Sequence, residues 1–152
     1  MRVDAIGVTH IRNMWNANAE PAFQHPPESF RIYNAADAVE LIGEDFSESP
    51  IEILRLLHLR SDGHLIAAAE QVGGADLVSI SFGRLIREAC ALGTSRLLVA
   101  HNHPSGDPTP SQADCTVTRR LAEILRLLDI ELVDHLVFAS QGIRSFRAMG
   151  LL

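Results

Sequence analysis

The chain has 152 residues, 47% of them hydrophobic, with a mean hydropathy of +0.10 and a formal net charge of −6, enough for one domain with a single sizeable core. No apolar run approaches the ~20 residues of a membrane span, and the charged start Met1-Arg2-Val3-Asp4 is not followed by the apolar stretch of a signal peptide. All 13 basic residues are arginine and acidic residues outnumber them, which disfavours a large phosphate-binding surface. Cys90 and Cys115 are too few for a disulfide framework, so a reducing cytoplasm is the expected compartment.

Residues 1–32 hold Asn, Pro and His without periodicity and read as an extended or partly disordered arm, or a dimer arm. Tyr33 to Ile42 has helical spacing, with Asn34 as the cap and Ala35, Ala38, Val39 and Ile42 inward. Ile51 to Leu59 reads as a strand, Ser61-Asp62-Gly63 as a turn, and Leu65 to Gln71 as the returning strand of a hairpin that Gly73-Gly74 ends. Phe82 to Leu92 is a helix closed by Gly93, with Phe82, Leu85, Ile86 and Ala89 on one face. Leu97 to His101 is a short apolar strand suited to a sheet centre. Ser111 to Leu128 is a helix whose Val117, Leu121, Ile124, Leu125 and Leu128 form the buried stripe. Glu131 to Ala139 is a strand, and a short strand and helix finish the chain. The class is α/β, in the α+β sense: a sheet with flanking helices.

The most informative stretch is His101-Asn-His-Pro-Ser-Gly-Asp-Pro-Thr-Pro-Ser-Gln-Ala-Asp114. His101 and His103, two apart in a strand, project to one face. The proline-rich run then enforces a turn, and Ser111 and Asp114 stand at the start of the next helix. An isolated His-x-His pair is more often structural. Two imidazoles and a carboxylate gathered by a rigid turn are instead three protein ligands for Zn2+, with a fourth position left for water, the open form of a catalytic site. Asn102, Ser105 and Asp107 read as turn-stabilising residues. His135, beside Asp134, either orients a ligand from behind or is a half-buried strand histidine. His10, His25, His58 and His64 lack partners at metal spacing and read as surface residues; Cys90 and Cys115 read as buried small side chains.

His-x-His, ten intervening residues, Asp resembles the JAMM (MPN+) metalloprotease motif, and the fuller string His-x-His-Pro-Ser-Gly-Asp-Pro-x-Pro-Ser-x-x-Asp resembles its RadC branch. Asp134-His135-Leu136-Val137 and the ending Phe146 to Leu152 are similar to the same family. The resemblance covers residues 33–152 and implies a JAB/MPN-like (cytidine-deaminase-like) mixed sheet flanked by helices. It also implies a glutamate general base at the start of an upstream strand. Glu52 fits that slot, and Glu70, at the end of the following strand, is the rival. The resemblance further implies that Ser111 stabilises the oxyanion of the reaction; as a cap its side chain would also accept a backbone N–H. Proteins of the RadC branch usually carry a helix-hairpin-helix region ahead of the metal domain. Residues 1–32 lack its glycine-hairpin signature, so a short, stand-alone catalytic domain is expected.

Three functions compete at this point. The first is a zinc hydrolase cleaving a peptide or isopeptide bond in a peptide or protein substrate; the resemblance supplies that substrate class. The second is a DNA-repair-associated protein or nuclease, suggested by the RadC name and by His-Asn-His. In an HNH nuclease the motif residues sit on a ββα finger, whereas here both histidines share a strand, and the acidic charge also makes nucleic acid an unexpected ligand. The third is a metal-binding module without turnover. No membrane partner is expected, and a homo-oligomer is open.

Overall fold

The structure, a computed structural model, describes residues 30–72 and 81–152. Most of the expected arm, with His10 and His25, lies outside the described residues, as does Gly73-Gly74. The elements run α1 (Ala35–Ile42), a 3₁₀ turn (Glu44–Glu48), β1 (Ile53–Leu59), β2 (Leu65–Val72), α2 (Phe82–Leu92), β3 (Arg96–Asn102), α3 (Gln112–Leu127), β4 (Glu131–Ala139) and β5 (Gly142–Ser145).

The strands form one mixed sheet ordered β2-β1-β3-β4-β5. β1 runs antiparallel to both β2 and β3, β3 and β4 are parallel, and β5 returns antiparallel to β4. Arg96–Asn102 is therefore the central strand, as its apolar run implies. The alternation of side chains divides the core in two. Leu57, Leu59, Leu98, Ala100, Leu136 and Phe138 pack under α1 and the 3₁₀ turn. Leu54, Leu56, Leu97, Val99 and Leu132 pack under α2 and α3. Among the described residues this is a mixed sheet flanked by three helices, in the sheet-with-helices class that the sequence implies. Among the described residues no helix is long and apolar enough to cross a membrane.

Local chemistry sets the element ends. Asn34 caps α1 in a reciprocal box: its side chain accepts from the Asp37 N–H, and the Asp37 carboxylate accepts from the Asn34 N–H. Gly63 turns β1 into β2 with φ +87°, and a Cβ there would lie 2.9 Å from the Ile32 carbonyl oxygen. That close approach lets Ile32 N–H bond to Gly63 C=O at 2.9 Å, and it seats the buried Phe30 and Ile32 in the core.

Several expectations need correction. β1 begins at Ile53, so Ile51 and Glu52 precede the ladder. Leu128 is 40% exposed because α3 has already ended there, with Leu128 at φ −104° and ψ 11°. Cys90 is exposed, since the inward face of α2 is carried by Leu85 and Ala89; Cys115 is half-buried. The residues after β5 form hydrogen-bonded turns in place of a helix, ending at Gly150 with φ +71°.

His58 is likewise not a surface residue. It follows Leu54 and Leu56 on the inward face of an interior strand and is fully buried, its Nδ1 2.9 Å from Thr94 Oγ1. Burial disfavours its charged form and pushes its pKa from 6.5 down to about 4. The unfolded chain therefore takes up a proton below pH 6.5 that the fold resists until about pH 4. This contribution to stability is complete above pH 6.5 and is lost as the pH falls through that window. Denaturant unfolding at pH 7 and pH 5 should show wild type losing roughly 2 kcal/mol more than His58→Gln. Equal losses would contradict this role for His58.

Candidate metal centre

The central strand delivers the site. His101 ends the inward run of β3 on the α2/α3 face and is fully buried. His103 follows on the same face, just past the strand, where its N–H donates to the Phe138 carbonyl at 2.7 Å. The chain then turns through Pro104 to Pro110. Gly106, at φ +90°, lies so close to the β4–β5 turn that a Cβ would come 2.8 Å from Ser140 Oγ. Ser111 N-caps α3 in a second reciprocal box. Its Oγ accepts from the Asp114 N–H at 3.0 Å, and Asp114 Oδ2 accepts from the Ser111 N–H at 2.7 Å. The capping bonds thus fix the carboxylate while leaving part of its acceptor capacity free.

His101 Nε2 and His103 Nε2 are 2.8 Å apart, and Asp114 Oδ2 lies 3.6 Å and 3.3 Å from them. Among the described residues this is the only group of three His, Cys, Asp or Glu side chains close enough to share an ion. A tetrahedral zinc with bonds near 2.0–2.1 Å holds its ligand atoms about 3.3 Å apart, so the spacing fits.

The hydrogen bonds behind the cluster fix what its atoms can be. His103 Nδ1 is 2.8 Å from the Asp107 carbonyl, which can only accept, so Nδ1 carries the proton. Thr118 gives its hydroxyl proton to the Asp114 carbonyl at 2.6 Å, so its oxygen accepts from His135 Nδ1 at 2.6 Å. His135 is fully buried and held neutral by desolvation, well below its ordinary pKa. Its Nε2 therefore accepts, at 2.7 Å, the Nδ1 proton of His101. Both ligand histidines are left with Nε2 lone pairs facing each other and a carboxylate. Nothing in that trio donates, so a cation has to reconcile them.

Short of a metal, that cation is a proton. Burial raises the pKa of the Asp114 carboxyl, but the imidazoles of His101 and His103 against its Oδ2 outweigh it and hold the group below the usual carboxylate range. The Asp114 bond pushes His103 above its ordinary value, whereas burial pushes His101 below. Of the two imidazoles His103, the more exposed, is the better placed to hold that proton, which a metal would displace.

The candidate base is close by. In the β1–β3 register Leu54 faces His101; extended by two residues, that register would bring Glu52 opposite His103, and the Glu52 charge contributes to the raised pKa of that imidazole. Glu70 faces Arg55 across the β1–β2 ladder and pairs with it at 2.9 Å. Arg55 in turn lies over Phe46, on the α1 face. The sheet therefore separates the rival carboxylate from the metal cluster. Ser105 and Asp107 stabilise the turn, their side chains accepting from the Asp107 and Thr109 N–H groups. Asn102 does not: its amide reaches back to Ser49, Ile51 and Ile53.

Residues 32–151 match the RadC-like JAB domain. The chain belongs to that family. A UPF0758 protein of Roseiflexus castenholzii is 38% identical over 125 residues, covering 82% of this chain and 54% of that protein. UPF0758 proteins of Neisseria meningitidis (38% over 126 residues) and Bordetella avium (35% over 132 residues) are similar, covering 82% and 86% of this chain and 56% and 55% of theirs. The chain thus spans about half the length of these curated relatives. In this RadC-like JAB domain the histidine pair and the aspartate, which the structure brings together, were legible before folding. Thr118 was not, although its place one helical turn beyond Asp114 on the same face was the available signal.

His103→Ala and Asp114→Ala should abolish binding of one zinc per chain, read by elemental analysis. His135→Leu should weaken it about 10–100-fold by releasing His101. Wild-type affinity should fall as the pH drops, starting above pH 6.5 because the His103 pKa is raised. An affinity constant from pH 8 to pH 6 would contradict a proton-competed site.

Proposed function

We propose that the domain is a zinc-dependent hydrolase of amide bonds, acting on a peptide or isopeptide bond in a peptide or protein substrate. The supporting observation is the convergence of two imidazole lone pairs and one carboxylate, with the Glu52 charge acting on His103, within a family whose name denotes a JAB domain. Zinc bound there would supply Lewis acidity, lowering the pKa of a coordinated water toward about 7 and polarising the substrate carbonyl.

The chain's own residues divide the remaining work. Glu52 takes a proton from the attacking water as the new C–O bond forms, then hands it to the nitrogen as the C–N bond breaks. Ser111 has its Oγ lone pair engaged by the Asp114 N–H, so its O–H remains to donate toward the developing oxyanion. Asp114 and the His135–Thr118 relay keep the ligands in one orientation. Residues 33–152 would carry this chemistry.

Zinc-loaded protein should cleave members of a peptide and isopeptide library, scored by mass spectrometry. Glu52→Gln should keep one zinc and lose about 10²–10⁴-fold in rate. Ser111→Ala should lose roughly 10²-fold and about 1 kcal/mol of helix-cap stability. Full zinc loading with no amide cleavage would indicate a metal-binding module, and undiminished cleavage by Glu52→Gln would remove Glu52 as the base.

A further inference from the structure

Asn102 stands between the two imidazole ligands, at the end of the central strand, and is fully buried. Its side chain offers an acceptor oxygen and two N–H donors, and all are used on one segment. Oδ1 accepts from the Ile53 N–H at 2.7 Å; Nδ2 donates to the Ile51 carbonyl at 2.9 Å and to the Ser49 carbonyl at 3.3 Å. The Ile51 carbonyl belongs to the peptide bond entering Glu52, and the Ile53 N–H to the peptide bond leaving it. A single side chain therefore grips both planar units that flank Glu52, and those planes set the direction of its Cα–Cβ bond.

Among the described residues no backbone ladder reaches Glu52: β1 begins at Ile53, whose partner in the β1–β2 ladder is Val72. The β1–β3 pairing stops at Leu54 and His101, and the Asn102 amide continues it by side chain for the two residues beyond. Any shift of the strand that carries His101 and leads into His103 is thereby transmitted to the segment that carries Glu52.

We propose that Asn102 is the positioning residue of the base: it couples the placement of Glu52 to that of the two histidine ligands. The proposal rests on the reading of Glu52 as the general base. A serine in its place could make at most two of the three bonds, and an alanine none.

The test uses the full chain loaded with cobalt(II), whose visible spectrum is titrated with pH in wild type, Glu52→Gln, Asn102→Ala and the double variant. Cobalt content should stay at one per chain in all four. Glu52→Gln should move the midpoint, Asn102→Ala should move it the same way by roughly half as much or more, and the double variant should move no further than Glu52→Gln, because the two changes act through one group. A role confined to satisfying backbone groups would leave the Asn102→Ala midpoint at the wild-type value while Glu52→Gln shifts, and would overturn the positioning role alone. If neither variant shifts, the reading of Glu52 fails and the proposal fails with it. Should Asn102→Ala not fold, Asn102→Ser replaces it, with a smaller shift in the same direction expected and an unmoved midpoint overturning the proposal.

Discussion

The outward hydrogen bonds of His101 and His103 constrain the rest of the site. An imidazole has two nitrogens, and in the neutral ring only one carries hydrogen. The Asp107 carbonyl claims the Nδ1 proton of His103; the chain His101–His135–Thr118–Asp114 carbonyl claims that of His101. The inward nitrogens are then lone pairs by necessity. The relay also begins at one ligand and ends on the backbone of another, so His101 and Asp114 cannot reorient independently.

The fold serves this constraint. The central strand places His101 where burial removes water as a competing partner, and α3 meets it with Asp114 already held by the Ser111 cap. The proline-rich turn joins the two rigid elements and provides the Asp107 carbonyl. His135 keeps its orientation by stacking on Phe146, ring centroids 4.5 Å apart and 11° from parallel. The ligands thus rest on secondary structure, and solvent reaches the cluster from the side of His103.

Much of this was legible in the sequence because it is local. The strand period places His101 and His103 on one face, the Ser-x-x-Asp box starts α3, and apolar spacing locates β1 to β4 and the three described helices. What escaped is what depends on pairing across the sheet. Asn102 reads as a turn residue next to Pro104, yet its partners lie in a segment distant in sequence. His58 looks like a stray polar residue until the sheet order makes β1 an interior strand. Glu70 and Glu52 are separable only once the register shows which face each strand presents. Leu128 and Cys90 fit the apolar spacing of their helices but fall where the helix has ended or turned outward.

The most direct test is the tautomeric state of the three histidines, read by ¹⁵N–¹H NMR of the imidazoles in the zinc-loaded full chain. The structure predicts a proton on Nδ1 of His101, His103 and His135, with Nε2 of the first two bearing the metal. A proton on Nε2 of His101 or His103 would contradict it, because the lone pairs that suit the cluster to a metal would then not converge.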